Sequence, residues 1–147
     1  MADSQGQPVF RLQKMYVKDL SFENPNAPEV YFQQEEPKVE VKLSVSNRSL
    51  DDEHWEASLS ITATAAMGEK TLFIAEVEHA GAFQISGVPA EHLPRVLAVD
   101  CLTLLFPFTR QILSQAAVDG GFLPFLLEPI NFAAMYEASR TTQEEKH

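Results

Sequence analysis

A single cysteine, Cys101, stands in this chain of 147 residues. Without a second thiol, neither an intramolecular disulfide nor a multi-cysteine zinc site can form. Positive charge is scarce as well: 11 Lys and Arg stand against 21 Asp and Glu, a formal net charge of −10. Nucleic-acid affinity rests largely on phosphate neutralisation by Lys and Arg, and no basic run in the sequence supplies it, so nucleic acid is excluded as a partner. The start, Met1 to Pro8, is polar and lacks both the basic opening and the apolar core of a signal peptide. No stretch approaches the roughly 20 consecutive apolar residues that span a bilayer. A cytoplasmic protein without direct membrane insertion is the expectation.

Catalytic signatures are equally thin. The four histidines, His54, His79, His92 and His147, have no His, Cys or carboxylate partner at metal-ligand spacing. A lone inward His79 reads as a structural residue, since zinc wants three or four ligands. Gly120-Gly121 follows a helical run instead of opening one, so it is no phosphate loop. Ser86-Gly87 lacks the flanking glycine of a nucleophile elbow. Cys101 lies on an apolar helix face as a small hydrophobe. The carboxylates are scattered, and pairing across strands is not legible at this level. The expectation is no enzyme, no cofactor and no metal.

What is present is a core: hydrophobic residues make up 45% of the chain, against global disorder. From Val9 to Glu23 the even positions are mostly apolar, but Met15 and Val17 sit on the other parity, which asks for a bulge in mid-strand. Val39, Val41, Leu43 and Val45 alternate with polar residues in a second strand, and Trp55, Ala57, Leu59, Ile61 and Ala63 in a third. Met67-Gly68-Glu69 turns into a fourth strand with Phe73, Ala75, Val77, Phe83 and Ile85 inward, Gly81 marking a bulge. The period then becomes helical: Leu93, Val96, Leu97, Cys101, Leu104, Leu105, Phe108 and Ile112 share one face, with Pro107 as a kink or break. Asn131 caps a second, shorter helix from Phe132 to about Arg140. The expected fold is α+β: a four-stranded antiparallel sheet with a long helix and a short C-terminal helix packed on one face. Residues 1–8 are expected as a disordered tail, 9–140 as the domain and 141–147 as a polar tail.

Two features exceed what a plain domain needs. On the outward parity of strand four, Leu72 and Ile74 sit beside Glu76 and Glu78, with Asp19, Ser21 and Glu23 outward on strand one. Mixed acidic and apolar patches mark interaction sites. The connections are greasy: 24–37 carries Val30-Tyr31-Phe32 among prolines, and 121–131 carries Phe122, Leu123, Phe125, Leu126, Leu127 and Ile130. Each exposed side chain of that kind forfeits about 1.5–3 kcal/mol, so these loops line a core, an interface or a groove.

The run from Tyr16 to Pro28, YVKDLSFENPNAP, resembles the N-terminal signature of the SecB family of export chaperones. CLTLLFPFTR at Cys101–Arg110 and the segment from Gly121 ending Pro129-Ile130-Asn131-Phe132 resemble two further family motifs, in the same order. The resemblance implies an ATP-independent chaperone that binds unfolded precursor proteins in apolar grooves and delivers them to the SecA ATPase. It implies a homotetramer, a dimer of dimers joined through the long helix, with Val96, Leu97, Cys101 and Leu104 at the interface. Family docking positions for SecA fall on Asp19, Glu23, Ile74 and Glu76, and the client groove falls near Tyr31, Val39, Val41, Leu43 and Phe73. Leu102-Thr103 departs from a proline the family usually carries, and the short stretch after Arg140 leaves a second SecA contact open. Two rivals stand: a SecB-like chaperone of a toxin–antitoxin module, and a carrier of small apolar ligands.

Overall fold

A computed structural model of the chain describes residues 7–33 and 35–146. Residues 1–6, most of the expected N-terminal tail, lie outside the described residues. Four strands, β1 (Val9–Glu23), β2 (Lys38–Ser49), β3 (His54–Met67) and β4 (Lys70–Ser86), form one antiparallel sheet in the order β1-β4-β3-β2. Gly68, at φ 59°, makes the tight β3–β4 turn that a residue with a Cβ would strain. The β2–β3 turn is tied by the Asp51 carboxylate, which accepts from the backbone N–H of Glu53 at 2.9 Å and of His54 at 2.8 Å.

Strand β1 resolves its broken alternation with two bulges, at Gln13 and Lys18, where the register with β4 shifts. Each extra residue flips the parity that follows. Leu12 therefore pairs Phe83, Met15 pairs Gly81, Val17 pairs His79 and Leu20 pairs Val77, so all four point to the helix side. Gly81 itself is no bulge, because its pairings with Met15 and Ala57 run without a shift. It is a site of close approach: a Cβ there would sit 2.8 Å from the Phe83 ring and 3.1 Å from Leu105. The bulge on β4 instead falls opposite Ala65 and Ala66, at Leu72. That turns Leu72 inward and buries it, correcting its expected outward position.

The long helix, Leu93–Asp119, lies across the sheet. Its second turn, Val96–Asp100, is wound as a π-helix, closed by Cys101 N–H donating to the Val96 carbonyl. Pro107 lies inside the following α-helical stretch, Cys101–Asp119, and does not break it. By length and composition this helix is apolar enough to cross a membrane, against the expectation that no stretch approaches that threshold. Its inner face is nevertheless spent on the sheet: Leu97, Cys101, Leu102, Leu105, Phe106, Thr109, Leu113 and Ala117 are buried. The C-terminal helix, Phe132–Lys146, runs past the expected end at Arg140 and takes up most of the expected polar tail. Asn131 is its N-cap, Oδ1 accepting from Ala134 N–H at 2.9 Å. Phe132 anchors it edge-on to Phe106, with ring centroids 6.0 Å apart.

Candidate functional site

One concave region opens where the two greasy loops meet the helix side of β2 and β3. A 3-10 turn, Glu29–Phe32, buries Val30 and aims Tyr31 at the end of the long helix. The Tyr31 hydroxyl donates to the Gly120 carbonyl at 2.7 Å, and Asn24 Nδ2 donates to the same carbonyl at 3.1 Å. Asn26 Nδ2 donates to the Thr71 carbonyl at 2.8 Å, fixing the loop to β4. Gly121, at φ 90°, passes so close to Tyr31 that a Cβ would lie 3.0 Å from its oxygen. Aromatic rings pave the floor: Phe73 lies 5.1 Å from Phe122, 5.4 Å from Phe22 and 5.7 Å from Phe125, centroid to centroid.

Two concavities result, of about 570 and 560 Å³, both lined by Val39 and Phe125 and so forming one groove. Tyr31, Val39 and Phe73 line the first, and Val41 lines the second. Leu43 lines neither; it is partly buried and packs on the core, deeper than the groove position expected of it. Phe122, Phe125, Leu126 and Leu127 are groove residues that the residue assignment missed, although the apolar run in that loop is their signal. Leu123, Leu126 and Phe32 are 85%, 80% and 82% exposed. Such apolar surface is held open at a standing solvation cost, which fits a surface built to be covered.

The opposite face of the sheet holds the charged residues. Asp19 pairs Glu78, Ser21 pairs Glu76 and Glu23 pairs Ile74 in register across β1 and β4. The four expected positions Asp19, Glu23, Ile74 and Glu76 thus share one outer face, and Thr62 Oγ1 donates to Glu76 Oε2 at 2.8 Å. Further along this face Glu56 is 4% exposed. It accepts from the Tyr16 hydroxyl at 2.7 Å, Arg48 Nε at 2.9 Å and Lys18 Nζ at 3.2 Å. Burial alone would raise the Glu56 carboxyl, but those three donors outweigh it and hold it down at about 2. The Tyr16 phenol is pushed up to about 12 by burial and by its bond to that carboxylate.

His79 is buried under the long helix with Nδ1 2.7 Å from Thr109 Oγ1. Thr109 donates to the Leu105 carbonyl at 3.1 Å, so His79 Nδ1–H must be the donor in the first bond. Burial lowers its pKa and favours the neutral ring. Burial, then the Asp100 charge, pushes the Cys101 thiol up to about 12, far from a reactive thiolate. Among the described residues no group of three His, Cys, Asp or Glu could hold a metal. Of the positions expected between subunits, Leu97 and Cys101, 4% and 0% exposed, are buried in the chain's own core. That removes them from any surface; Val96 and Leu104 line an open concavity with Phe10 and Val88.

Residues 3–143 match the model of the family described as preprotein translocase subunit SecB. The chain belongs to the SecB family. A protein-export protein SecB of Desulfotalea psychrophila is 58% identical over 95% of this chain and 91% of its own. That of Magnetococcus marinus is 47% identical over 88% and 83%. Among solved structures, a SecB-like chaperone of Mycobacterium tuberculosis in complex with a ChAD peptide from the HigA1 antitoxin superposes with TM-score 0.69. It covers 82% of this chain and 90% of its own at 13% identity, a likeness of fold.

Proposed function

We propose that this SecB-family chain is an export chaperone that binds unfolded precursor proteins in the Tyr31–Ile130 groove and keeps them competent for translocation. The observation that carries this reading is the groove's composition: apolar and aromatic side chains, two of them, Leu123 and Leu126, largely exposed, with backbone-pinned walls. A holder of many sequences gains from such a surface, because an unmatched buried polar group costs about 1–3 kcal/mol, whereas apolar contact is tolerant of sequence. The chain acts as a homotetramer in the cytoplasm, where several grooves engage one long client and raise avidity by about 10²–10⁴. Holding needs no nucleotide. Suppression of client aggregation in ATP-free buffer tests this; an absolute ATP requirement would contradict it.

Delivery is to SecA, through Asp19, Glu23, Ile74 and Glu76 on the outer face. These acids lie on the far side of the sheet from the groove, so docking and client binding are separable. Glu76→Lys and Asp19→Ala are expected to weaken SecA binding, the charge reversal more, while client affinity stays within about twofold. Close interfacial charge pairs couple by about 1.5–7 kcal/mol, and a surface pair falls at the low end. Calorimetric titration with SecA and with an unfolded client separates the two. SecA binding like wild type in both variants would reduce the acidic plate to a solvated face. The toxin–antitoxin rival draws on the mycobacterial neighbour, whose identity of 13% supports a shared fold alone. Nothing in the groove favours a small apolar ligand over a chain.

A further inference from the structure

Along β1 and β4 the outer face of the sheet is divided by charge, with Lys42 of β2 standing beside the acids in the Glu76 row. Only one half is accounted for by the docking acids. The other half gathers Arg11, Lys14, Lys18 and Arg48, four of the 11 basic residues in an acidic chain. Lys14, Ala82, Glu56 and Arg48 stand in one row across the four strands, and Arg11 is one row further, paired with Gln84. Glu56 engages Lys18 and Arg48 and is itself covered. Arg11 and Lys14 are exposed and have no ion-pair partner among the described residues. The exposed acids Asp51, Asp52 and Glu53 belong to the β2–β3 turn off the end of the sheet, and Asp51 is bound to His54 at 2.8 Å. From the Lys14 row to the Asp19 row, Ala82 to Glu78 on β4, the charge changes sign over about 13 Å, at roughly 3.3 Å per residue.

We propose that this face is a two-ended docking surface: the partner segment that lays basic residues on Asp19, Glu23 and Glu76 lays acidic residues on Arg11 and Lys14. The inference rests on the docking role of the acidic half. Its physical basis is orientation. On a net charge of −10, an acidic segment is repelled over most of the surface, and along β1 and β4 the Arg11–Lys14 end is where it can settle. A purely basic segment is attracted to the acids in either direction along the strands. A segment of both signs fits in one direction only, and like-charge contact penalises the reverse.

Three short capped peptides test this at low salt: lysines alone, lysines followed by glutamates, and the same composition with the two charges interleaved. Affinity is read by titration against the full chain and against the double variant Arg11→Glu, Lys14→Glu. Both side chains are exposed and have no ion-pair partner among the described residues, so the variant should fold, which circular dichroism checks. The block peptide is expected to bind wild type about tenfold more tightly than the interleaved one, and the variant to erase that difference. The lysine peptide should bind the variant at least as well as wild type. Equal binding of block and interleaved peptides to wild type, with the lysine peptide bound, would overturn the two-ended reading alone. A lysine peptide that fails to bind at all would overturn the docking role beneath it. If vesicles rich in phosphatidylglycerol bind wild type and not the variant while the block peptide gains nothing, the patch serves lipid and the proposal is wrong.

Discussion

Glu56 is a buried carboxylate held ionised by three donors. Its folded pKa of about 2 lies below the unfolded value of about 4.3, so it contributes stability above the unfolded pKa and loses it as pH falls toward 2. A shift of that size corresponds to on the order of 3 kcal/mol at neutral pH. Glu56→Gln should lower the stability measured by urea unfolding at pH 7 by a few kcal/mol, and the gap from wild type should close between pH 4 and 2. A gap independent of pH would mean that packing, not charge, holds the site. This centre is not legible in the sequence, because Tyr16, Lys18, Arg48 and Glu56 meet only through strand pairing. Leu72 illustrates the same limit: its parity says outward, and a one-residue register shift near it reverses the answer. The groove residues of the 121–131 loop are half legible, since their hydrophobicity demands a role but gives no direction.

At the scale of elements, periodicity identifies the four strands, their order in the chain and the two helices, because alternation and helical spacing are local properties. What it leaves open is where they start, stop and slip. The long helix carries apolar residues on more than one side, so a stripe read from spacing mixes inward Leu97, Cys101 and Leu105 with outward Leu104 and Phe108. Met15 and Val17 signal the irregularity of β1, and the structure resolves it as two bulges. Deleting Gln13 removes the extra residue and leaves Leu12 opposite Phe83 and Lys14 opposite Ala82 in an unbroken alternation. Phe10 and Leu12 should therefore stay inward, and stability should change by less than about 1 kcal/mol. Gln13→Ala, which keeps the count, should cost less than about 0.5 kcal/mol. A loss of several kcal/mol in urea on deleting Gln13 alone would show that these pairs do not set the register.

At the scale of the molecule, one chain leaves apolar surface that its own sheet does not hide. Phe10, Val17, Leu20, Leu104, Phe108 and Val118 are each about half exposed along β1 and the outer side of the long helix. A concavity of about 790 Å³ between them is lined by Met15, Val17, Leu20, Phe22, Phe108 and Ile112. Subunit association covers such faces, and light scattering at micromolar concentration should report a tetramer; a monomer would contradict the assembly. The groove is a separate surface, and its role as the client site is the central claim. Leu126 tests it most directly, because at 80% exposure its replacement cannot disturb the core. Affinity for a chemically unfolded client should be measured for wild type and Leu126→Asp at equal oligomeric state and without nucleotide. Losing one buried leucine and introducing a charge predicts a drop of roughly tenfold to a hundredfold per site, with thermal stability unchanged. Client affinity equal to wild type in a folded Leu126→Asp tetramer would place the client elsewhere and contradict the account.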